Sequence, residues 1–447
     1  MQAEKQYIDL YEQAGDLIRS HSADVMNAPR DRAFADFCRQ GFPTRRMERY
    51  KYTDMGKLFE PDYGLNLRRL AVDANPYDAF KCAVPNLSTS LYFVVNDQFC
   101  TTHLPTAALP DGVIVDSLSH AAQTRPELVE PYYARLARTE KDAITALNTM
   151  LAQDGLFIFV PRNVRVDRAI QIVNILRSDV ELMVNRRVLI VLEQGAEASL
   201  LFCDDSADER RFLTTQVIEA YVGDRARLEL NCLEQTHTLN TRVSNVYIDQ
   251  QRDSHVSHNV ITLHNGVTRN RLDLQLSGEG AECFCRGCVI ADKHQHVDNN
   301  TLIDHRVPHC SSHELYKYVL DDQATGAFAG RVLVREGAQK TTSEEVNQNL
   351  CATREARMYT QPMLEIYADD VKCSHGSTVG QLNDAAVFYM QQRGIPEAEA
   401  KMLLQLAFVT EVLDKIDLQP LRDRLRHLVE KRFRGELGQC QGCKLHK

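Results

Sequence analysis

Tryptophan is absent from this 447-residue sequence, and so is any apolar run of about 18 residues that could span a membrane. Residues 1–20, "MQAEKQYIDLYEQAGDLIRS", carry charges throughout and lack the apolar stretch of a secretory signal. These absences predict a soluble cytoplasmic protein without a membrane partner.

Motifs for nucleotide and hydrolytic chemistry are missing as well. The chain has no G-x-x-x-x-G-K-[ST] loop, and "GEGAEC" lacks the third glycine of a dinucleotide-binding fingerprint. Neither H-E-x-x-H nor G-x-S-x-G occurs. The sequence therefore predicts a chain that binds neither ATP nor NAD by itself.

Basic charge is too scarce for a nucleic-acid binder. The formal net charge is -9, whereas nucleic-acid-binding surfaces are usually basic, so we expect no nucleic-acid partner. The 13 cysteines are scattered, without the even and close spacing of a secreted disulfide framework. In a reducing compartment most of them are expected to be free thiols.

Hydrophobic periodicity divides the chain into three regions. Residues 1–155 combine helical spacing with mixed segments. Residues 156–380 consist of short β-rich runs such as "LFIFVP" and "RVLIVLE". Residues 381–447 return to helical spacing. The pattern predicts a β-rich core with helical regions before and after it.

Turn glycines recur at a regular interval in the central region. The intervals are 28, 57 and 57 residues, or one, two and two units of about 28, between Gly195, Gly223, Gly280 and Gly337. Short strands with a turn at each corner of such a unit predict stacked coils, that is, a β-helix or solenoid. A β-sandwich with coincidental loop spacing is the alternative.

A cysteine and a histidine come close together in "DDVKCSHGSTVG", residues 369–380. On a strand, Cys373 and His375 would point to the same face, and the Gly-Ser-Thr that follows would leave them uncrowded. Imidazole and thiolate together suit iron, zinc or copper. Asp369 and Asp370 are candidate anchors for the preceding turn. From the residues alone, a metal or sulfur site and an ordinary strand end both remain open.

Other cysteines and histidines have ligand-like spacing but form no evident set of four ligands. "CFCRGC" and "DKHQHVD" each place two such residues on one predicted strand face, and "HRVPHCSSH" and the tail "CQGCKLH" add more. A stacked strand interior also tolerates alternating Cys and His, so packing is the alternative. The residues are Cys283, Cys285, His294, His296, His305, His309, Cys310, His313, Cys440 and Cys443.

The segment "QPMLEIYADDVKCSHGSTVGQLNDAAVFYMQQRGIPEAEAKMLL", residues 361–404, resembles the C-terminal hallmark of the SufD family, part of the SUF iron–sulfur cluster assembly machinery. "FPTRRMERYKYT", residues 42–53, is similar to an N-terminal SufD segment, and "KHQHVDNNTLIDHRVPHCSSHELYKYV" also matches. The resemblance thus covers essentially the whole chain. One position departs from it, because Tyr50 stands where the family often has tryptophan.

The resemblance implies a mainly β fold, with a right-handed parallel β-helix core flanked by N-terminal and C-terminal helical regions. It implies a non-catalytic scaffold subunit that pairs with the paralogue SufB and binds SufC, an ABC-type ATPase, through roughly residues 383–433. Transient iron and sulfide, or a nascent iron–sulfur cluster, would lie at the SufB interface, where His375 takes part and Cys373 accompanies it. No tightly bound cofactor is implied.

Two rival assignments stay open at this point, and so does the state of the isolated chain. A SufB-type subunit is the closer rival, although SufB carries a histidine–glutamate pair in place of the Cys-Ser-His run. A β-helix carbohydrate-active enzyme, such as a polysaccharide lyase, is the other, and such enzymes are commonly secreted. Whether the isolated chain forms a homodimer is not fixed by the sequence.

Overall fold

Two β-sheets form the body of the protein in a computed structural model that describes residues 2–72, 89–105 and 108–436. One sheet has ten strands and the other nine, and successive strands alternate between them through the central region. The chain therefore winds through about 8 turns, each contributing one strand to each sheet. This parallel β-helix confirms the mainly β fold predicted from the repeat and excludes a sandwich of antiparallel sheets.

Most strands of the β-helix are about ten residues long. In chain order they are β1 Ser90–Val95, β2 Gln98–Phe99, β3 Ile114–Ser117, β4 Leu156–Val160, β5 Ile170–Leu176, β6 Leu182–Leu192, β7 Glu197–Ser206, β8 Phe212–Val222, β9 Arg227–Gln235, β10 Thr241–Gln250, β11 His255–His264, β12 Val267–Leu276, β13 Glu282–Ala291, β14 His296–His305, β15 Ser311–Leu320, β16 Thr325–Val334, β17 Thr342–Cys351, β18 Arg357–Ile366 and β19 Lys372–Gly380. The ten-stranded sheet holds β1, β2 and the odd-numbered strands from β5 to β19. The nine-stranded sheet holds β3 and the even-numbered strands from β4 to β18.

Helices precede and follow the strands. They are α1 Gln2–Ser20, α2 Asp24–Asn27, α3 Arg30–Gln40, α4 Met55–Leu58, α5 Leu118–Thr124, α6 Pro126–Val129, α7 Ala143–Leu151, α8 Asp384–Gln391, α9 Glu397–Leu413 and α10 Gln419–Phe433, with 3₁₀ turns at Glu48–Tyr50 and Thr139–Lys141. Within the described ranges, no helix is both long and apolar enough to cross a membrane.

The strand register reproduces the sequence repeat. Leu213 of β8 pairs with Thr241 of β10, 28 positions later in the chain. The offset is 26 between Thr241 and Val267 and 32 between Thr325 and Arg357. The repeat length thus varies around the predicted value, because the connections at the corners of the β-helix differ in length.

One corner of the β-helix is built from residues in the left-handed backbone region. Gly195 and Gly280 have φ of +67° and +75° there, and Asn163, Asp253 and His309 take the same conformation at the equivalent corner of other turns. Glycine adopts this conformation at no steric cost, and Asn and Asp tolerate it better than most residues. The predicted corner role is therefore confirmed for both glycines.

The sheets begin earlier in the chain than residue 156, where the sequence pattern places the start of the β-rich core. β1 runs parallel to β5 and extends the ten-stranded sheet, with Ser90 opposite Ile170. β3 runs antiparallel to β4 and closes the nine-stranded sheet, with Ser117 opposite Leu156. The apolar run "SLYFVV" is typical of a strand, but periodicity does not reveal its pairing with β5 across an intervening helical stretch.

The interior of the β-helix is apolar through most turns, and helices cover both outer faces. Each fully buried aliphatic side chain contributes roughly 1.5–3 kcal/mol, which makes this interior a main source of stability. α1, α3 and α7 pack near the nine-stranded sheet, and α9 and α10 pack on the ten-stranded sheet. Representative interior residues are Ile190, Leu200, Ile218, Leu230, Ile248, Leu274, Val289 and Ile303.

Tyr50, the residue that departs from the SufD pattern, fixes the N-terminal segment onto the β-helix. Its ring centroid lies 4.0 Å from the guanidinium carbon of Arg269, and its hydroxyl donates a hydrogen bond to the carboxylate of Asp142. Asp142 also caps α7 by accepting from the backbone N–H of Thr145 at 2.8 Å, and it pairs with Arg271 at 2.6 Å. Tyr50 therefore has a defined structural role.

Candidate functional site

The "KCSHG" residues lie on β19, the terminal strand of the ten-stranded sheet. β18 is the terminal strand of the other sheet, so the two strands form the open C-terminal end of the β-helix. Most of β19 is exposed, in contrast to the buried strands of the preceding turns. The candidate residues therefore lie at an end of the β-helix that another chain can reach.

Cys373 and His375 share a face of β19, as the strand alternation predicts. Cys373 is opposite Ser343 and His375 is opposite Glu345 on β17, and both of these β17 residues are buried in the interior. Cys373 is half-buried against an interior cluster that includes Val334, whereas His375 is exposed. The two side chains thus close the end of the interior, with the imidazole outermost.

Burial sets the protonation of the Cys373 thiol. Its apolar surroundings raise the pKa of this thiol, and a backbone hydrogen bond with Ser343 offsets only part of the effect. A neutral thiol is a poor nucleophile and metal ligand compared with a thiolate. Cys373 therefore needs a bound cation or a charged partner residue before it can act as a ligand.

The turn that precedes β19 is anchored as predicted for Asp370. The backbone N–H of Asp370 donates to the side-chain oxygen of Gln339 at 2.9 Å, and its carbonyl accepts from the N–H of Lys340 at 2.7 Å. The Asp370 carboxylate also pairs with the ammonium group of Lys340. These contacts fix the start of the strand that carries Cys373 and His375.

The free edge of β19 offers a row of backbone groups. Lys372 donates its N–H to Thr341, so alternate residues from Lys372 onward face β17. The backbone groups of the intervening residues, which are Cys373, His375, Ser377 and Val379, consequently point to the unpaired edge. Such an edge is a template for strand addition by another chain.

The edge of β18 is less suited to strand addition. Arg357 donates its N–H to Ala324 on the inner side, which directs the backbone of the residues at even positions of β18 outward. Pro362 is one of them and has no N–H to donate. Large apolar side chains are nevertheless exposed at this end, among them Tyr367 at 64% and Val379 at 51%.

A column of polar side chains continues inward from His375. Register partners on successive strands of the ten-stranded sheet are Glu345 on β17, Glu314 on β15, Cys285 on β13 and His258 on β11. Neighbouring strands are about 4.8 Å apart, so the column spans roughly 19 Å. The site visible at the surface is therefore the outermost member of an internal row.

Burial strongly perturbs the titration of this column. Burial raises the pKa of Glu345 to about 9, and the neighbouring charge of Glu314 contributes to this rise. Burial also raises the pKa of Glu314, to about 7. Burial lowers the pKa of His258 to about 4. Sequence reasoning missed both glutamates, because "SSHEL" and "SEEVN" carry no motif and only the register places Glu314 and Glu345 side by side in the interior.

The other ligand-like residues do not form a common centre. Cys283 and Cys285 share the buried inner face as predicted, and mutual interaction and burial raise the pKa of Cys283 well above its usual range. His294 lies in a turn outside β14, so the predicted sharing of a strand face with His296 is wrong. His296 instead contacts the Thr53 hydroxyl at 3.0 Å.

The "HRVPHCSSH" residues are also dispersed. His305 is buried and contacts the Ser312 hydroxyl at 2.9 Å, His309 occupies a left-handed corner, and His313 stacks on Phe284 with ring centroids 5.1 Å apart. The thiol of Cys310 contacts the carbonyl of Gly278 at 3.4 Å. Over the described ranges, no three His, Cys, Asp or Glu side chains converge as a metal site. Cys440 and Cys443 lie outside the described residues.

A second exposed surface lies on the C-terminal helices. Phe388 and Tyr389 on α8 are 61% and 58% exposed, and Leu403 on α9 is partly exposed as well. Val409 and Leu413 of α9 face the other way and pack on the outer face of the ten-stranded sheet. These helices therefore cover the β-helix with one side and present large apolar side chains on the other.

Comparison with known proteins assigns nearly the whole chain. Residues 1–172 match the SufBD protein N-terminal region, and residues 175–408 match the SufBD core domain of SUF system FeS cluster assembly. The chain belongs to the SufBD family. SufBD membership makes it an iron–sulfur cluster assembly protein and decides against the carbohydrate-active rival.

Individual SufBD relatives agree with this assignment. The chain is 28% identical to an iron–sulfur cluster assembly SufBD family protein of Synechocystis, over 87% of either chain. It is 27% identical to the iron–sulfur cluster assembly protein SufD of Escherichia coli, over 89% of this chain and 90% of that one. It is 26% identical to SufD of Bacillus subtilis, over 72% and 74%. The resemblance to SufD drawn from the motifs is thus confirmed.

Proposed function

We propose that this chain is a SufD-type scaffold subunit, which pairs with a SufB-like paralogue to form a cluster-assembly interface and binds a SufC-type ATPase. The chain itself is non-catalytic, and ATP hydrolysis belongs to the ATPase partner. Iron and sulfide pass through the interface as cargo and are not held as a resident cofactor. Relatives named SufD at similar length support this assignment.

The position of His375 carries the proposal. It is an exposed imidazole on the terminal strand of the β-helix, next to a row of unpaired backbone groups. A second chain that adds a strand to β19 would bring its own side chains beside His375 and Cys373. Neither chain then needs a complete set of ligands, which agrees with the lack of a three-ligand cluster among the described residues.

His375 and Cys373 have different roles at the proposed interface. A neutral imidazole ligates iron directly, so His375 is assigned as the iron ligand from this chain. Cys373 is assigned a secondary role, because its raised pKa keeps the thiol protonated until a cation lies beside it. The C-terminal helices are assigned to the ATPase, since α8 presents Phe388 and Tyr389 to solvent.

A proline on the free edge of β19 tests the pairing mode. Ser377 faces its N–H away from β17, so Ser377→Pro removes an edge donor without breaking a bond inside the sheet. Ser377→Ala is the matched control, because both variants lose the Ser377 hydroxyl that contacts Thr360. Both would be coexpressed with the paralogue and the ATPase and purified through a tag on this chain.

Ser377→Pro is expected to lose the paralogue but keep the ATPase, and Ser377→Ala is expected to keep both. Circular dichroism and the melting temperature check that the proline variant is folded. Retention of the paralogue at the wild-type ratio by a folded Ser377→Pro chain would show that the pairing surface lies elsewhere.

A further inference from the structure

A layer of oxygen atoms lies inside the last turns of the β-helix, below His375. Glu314 of β15 and Glu345 of β17 are register partners in the ten-stranded sheet. Across the interior, Thr301 of β14 and Gly330 of β16 are register partners in the nine-stranded sheet. The two carboxyl groups therefore face a hydroxyl group and a position that has no side chain.

Gly330 leaves the space that the Glu345 carboxylate occupies. A Cβ atom at Gly330 would lie 1.8 Å from Oε1 of Glu345 and 2.9 Å from the ring of Phe328. The Glu345 side chain is consequently directed across the interior to the opposite sheet, and the layer is built from both sheets.

Apart from the approach of the Thr301 hydroxyl to Glu314, the oxygens of this layer have no hydrogen-bond partner among the described residues. Glu314, Glu345 and Thr301 are 2%, 0% and 2% exposed, and their carboxylate and hydroxyl oxygens complete no hydrogen bond. Thr301 is nevertheless close enough to Glu314 to offset part of the rise in the pKa of that carboxyl. A buried carboxyl group left without a hydrogen-bond partner costs roughly 1–3 kcal/mol.

Packing alone does not require acids here. The adjacent inward-facing column holds Cys283, Ser312 and Ser343 at the same depth, and the serine hydroxyls contact each other at 2.8 Å. Small, mutually satisfied side chains thus fill the neighbouring positions. Glu314 and Glu345, by contrast, are large acidic side chains whose oxygens lack partners. Their presence indicates a ligand that supplies positive charge.

We propose that Glu314 and Glu345 bind a divalent cation inside the β-helix, with Thr301 as a third oxygen donor. Oxygen ligands of this kind suit Mn²⁺ and Mg²⁺, and they accept Fe²⁺, whereas thiolates select softer ions. The cation compensates both carboxylates and gives the orphan oxygens a partner. Only two of the donors are acidic, so the layer differs from a cluster of three His, Cys, Asp or Glu residues.

The location connects this site to the assembly surface. Glu345 is the register partner of His375, so a cation held at Glu345 lies one strand inside the edge strand. If the chain takes part in iron–sulfur cluster assembly, the ion in the cell is Fe²⁺, and this choice of ion rests on the proposed function. Cation binding itself is a property of the isolated chain and can be measured without cluster assembly.

Mn²⁺ binding to the full-length chain tests the site. The chain is stripped with a chelator and titrated with Mn²⁺, and free Mn²⁺ is counted by electron paramagnetic resonance. Mn²⁺ is the probe because cysteine-rich sites bind it weakly. The variants are Glu314→Gln and Glu345→Gln, and Glu344→Gln is the matched control, since Glu344 adjoins Glu345 but lies exposed on the other face of β17.

The wild type is expected to bind about one Mn²⁺ per chain, and each inward variant is expected to weaken binding by more than about 10-fold. Glu344→Gln is expected to bind as the wild type does, and the measurement uses this chain without the paralogue or the ATPase, so a failure of the proposed role of His375 in cluster assembly leaves this result unaffected. Mn²⁺ should also raise the melting temperature of the wild type, and a chelator should reverse this rise. If one Gln variant does not fold, the presence or absence of this rise in the wild type tests the site. Absence of binding up to about 1 mM Mn²⁺, or equal losses in Glu344→Gln and Glu345→Gln, overturns the proposal.

Discussion

Glu345 and His375 are register partners on the last two strands of the ten-stranded sheet, one buried and one exposed. An exposed imidazole therefore lies directly beyond a carboxyl group whose pKa burial raises to about 9. The pair joins the surface at which we propose cluster assembly to the interior at which we propose cation binding.

Replacement of Cys373 by serine is expected to slow cluster assembly without abolishing it. The thiol is half-buried and its raised pKa keeps it protonated, so it contributes less to iron binding than His375 does. Serine has a similar shape, and we expect the free energy of unfolding to change by less than about 1 kcal/mol. Assembly would be followed by absorbance in a reconstituted complex. Complete loss of assembly in Cys373→Ser would contradict the secondary role assigned to Cys373.

The double substitution of Phe388 and Tyr389 by alanine is expected to weaken binding of the ATPase partner by more than about 10-fold. Exposed aromatic side chains of this size are typical anchors of an interface, and their exposure means that the fold does not depend on them. Tyr367→Ala is the control, because Tyr367 is equally exposed but lies beyond the end of β18. Binding would be measured between this chain and the ATPase alone. Equal affinities for the double variant and the wild type would place the ATPase surface elsewhere.

The stability of the β-helix is expected to fall between pH 6.5 and pH 4 in part because of His258. Burial lowers the pKa of His258 from 6.5 to about 4, so the unfolded chain binds a proton in this range and the folded chain does not. The loss of stability begins as the pH falls below 6.5 and is complete near pH 4, and it amounts to on the order of 3 kcal/mol.

His258→Leu removes this group and should flatten the pH profile of the unfolding free energy over that range. His427→Leu, at an exposed position of α10, is the control for replacing a histidine by leucine. Denaturant titrations at several pH values supply the comparison. Parallel profiles for the wild type and His258→Leu would contradict the assigned cause.

Much of the architecture could be predicted from the sequence, because the fold repeats itself. The spacing of Gly195 and Gly280 reflects a real corner where the backbone is left-handed, and the β-rich runs reflect strands of nearly constant length. The participation of Ser90–Val95 could not be predicted, since its pairing with β5 joins residues 80 positions apart and depends on the fold of the intervening chain.

The candidate site was predictable only at its surface. Cys373 and His375 lie two residues apart, so strand alternation alone places them on one face, and the structure confirms that geometry. Glu314 and Glu345 are 31 residues apart and become neighbours only through the register of β15 and β17. The spacing of His305, His309 and His313 left a metal site and packing both open, and the structure separates the three residues by a corner between strands.

That His375 supplies a ligand to the iron or sulfur intermediates is tested by His375→Ala in a reconstituted complex with the paralogue and the ATPase. The imidazole is exposed, so we expect an unfolding free energy within about 0.5 kcal/mol of the wild type and unchanged complex formation. His427→Ala, at another exposed histidine, is the control. The predicted result is that His375→Ala forms the complex but assembles little or no cluster, and assembly at the wild-type rate would contradict the claim.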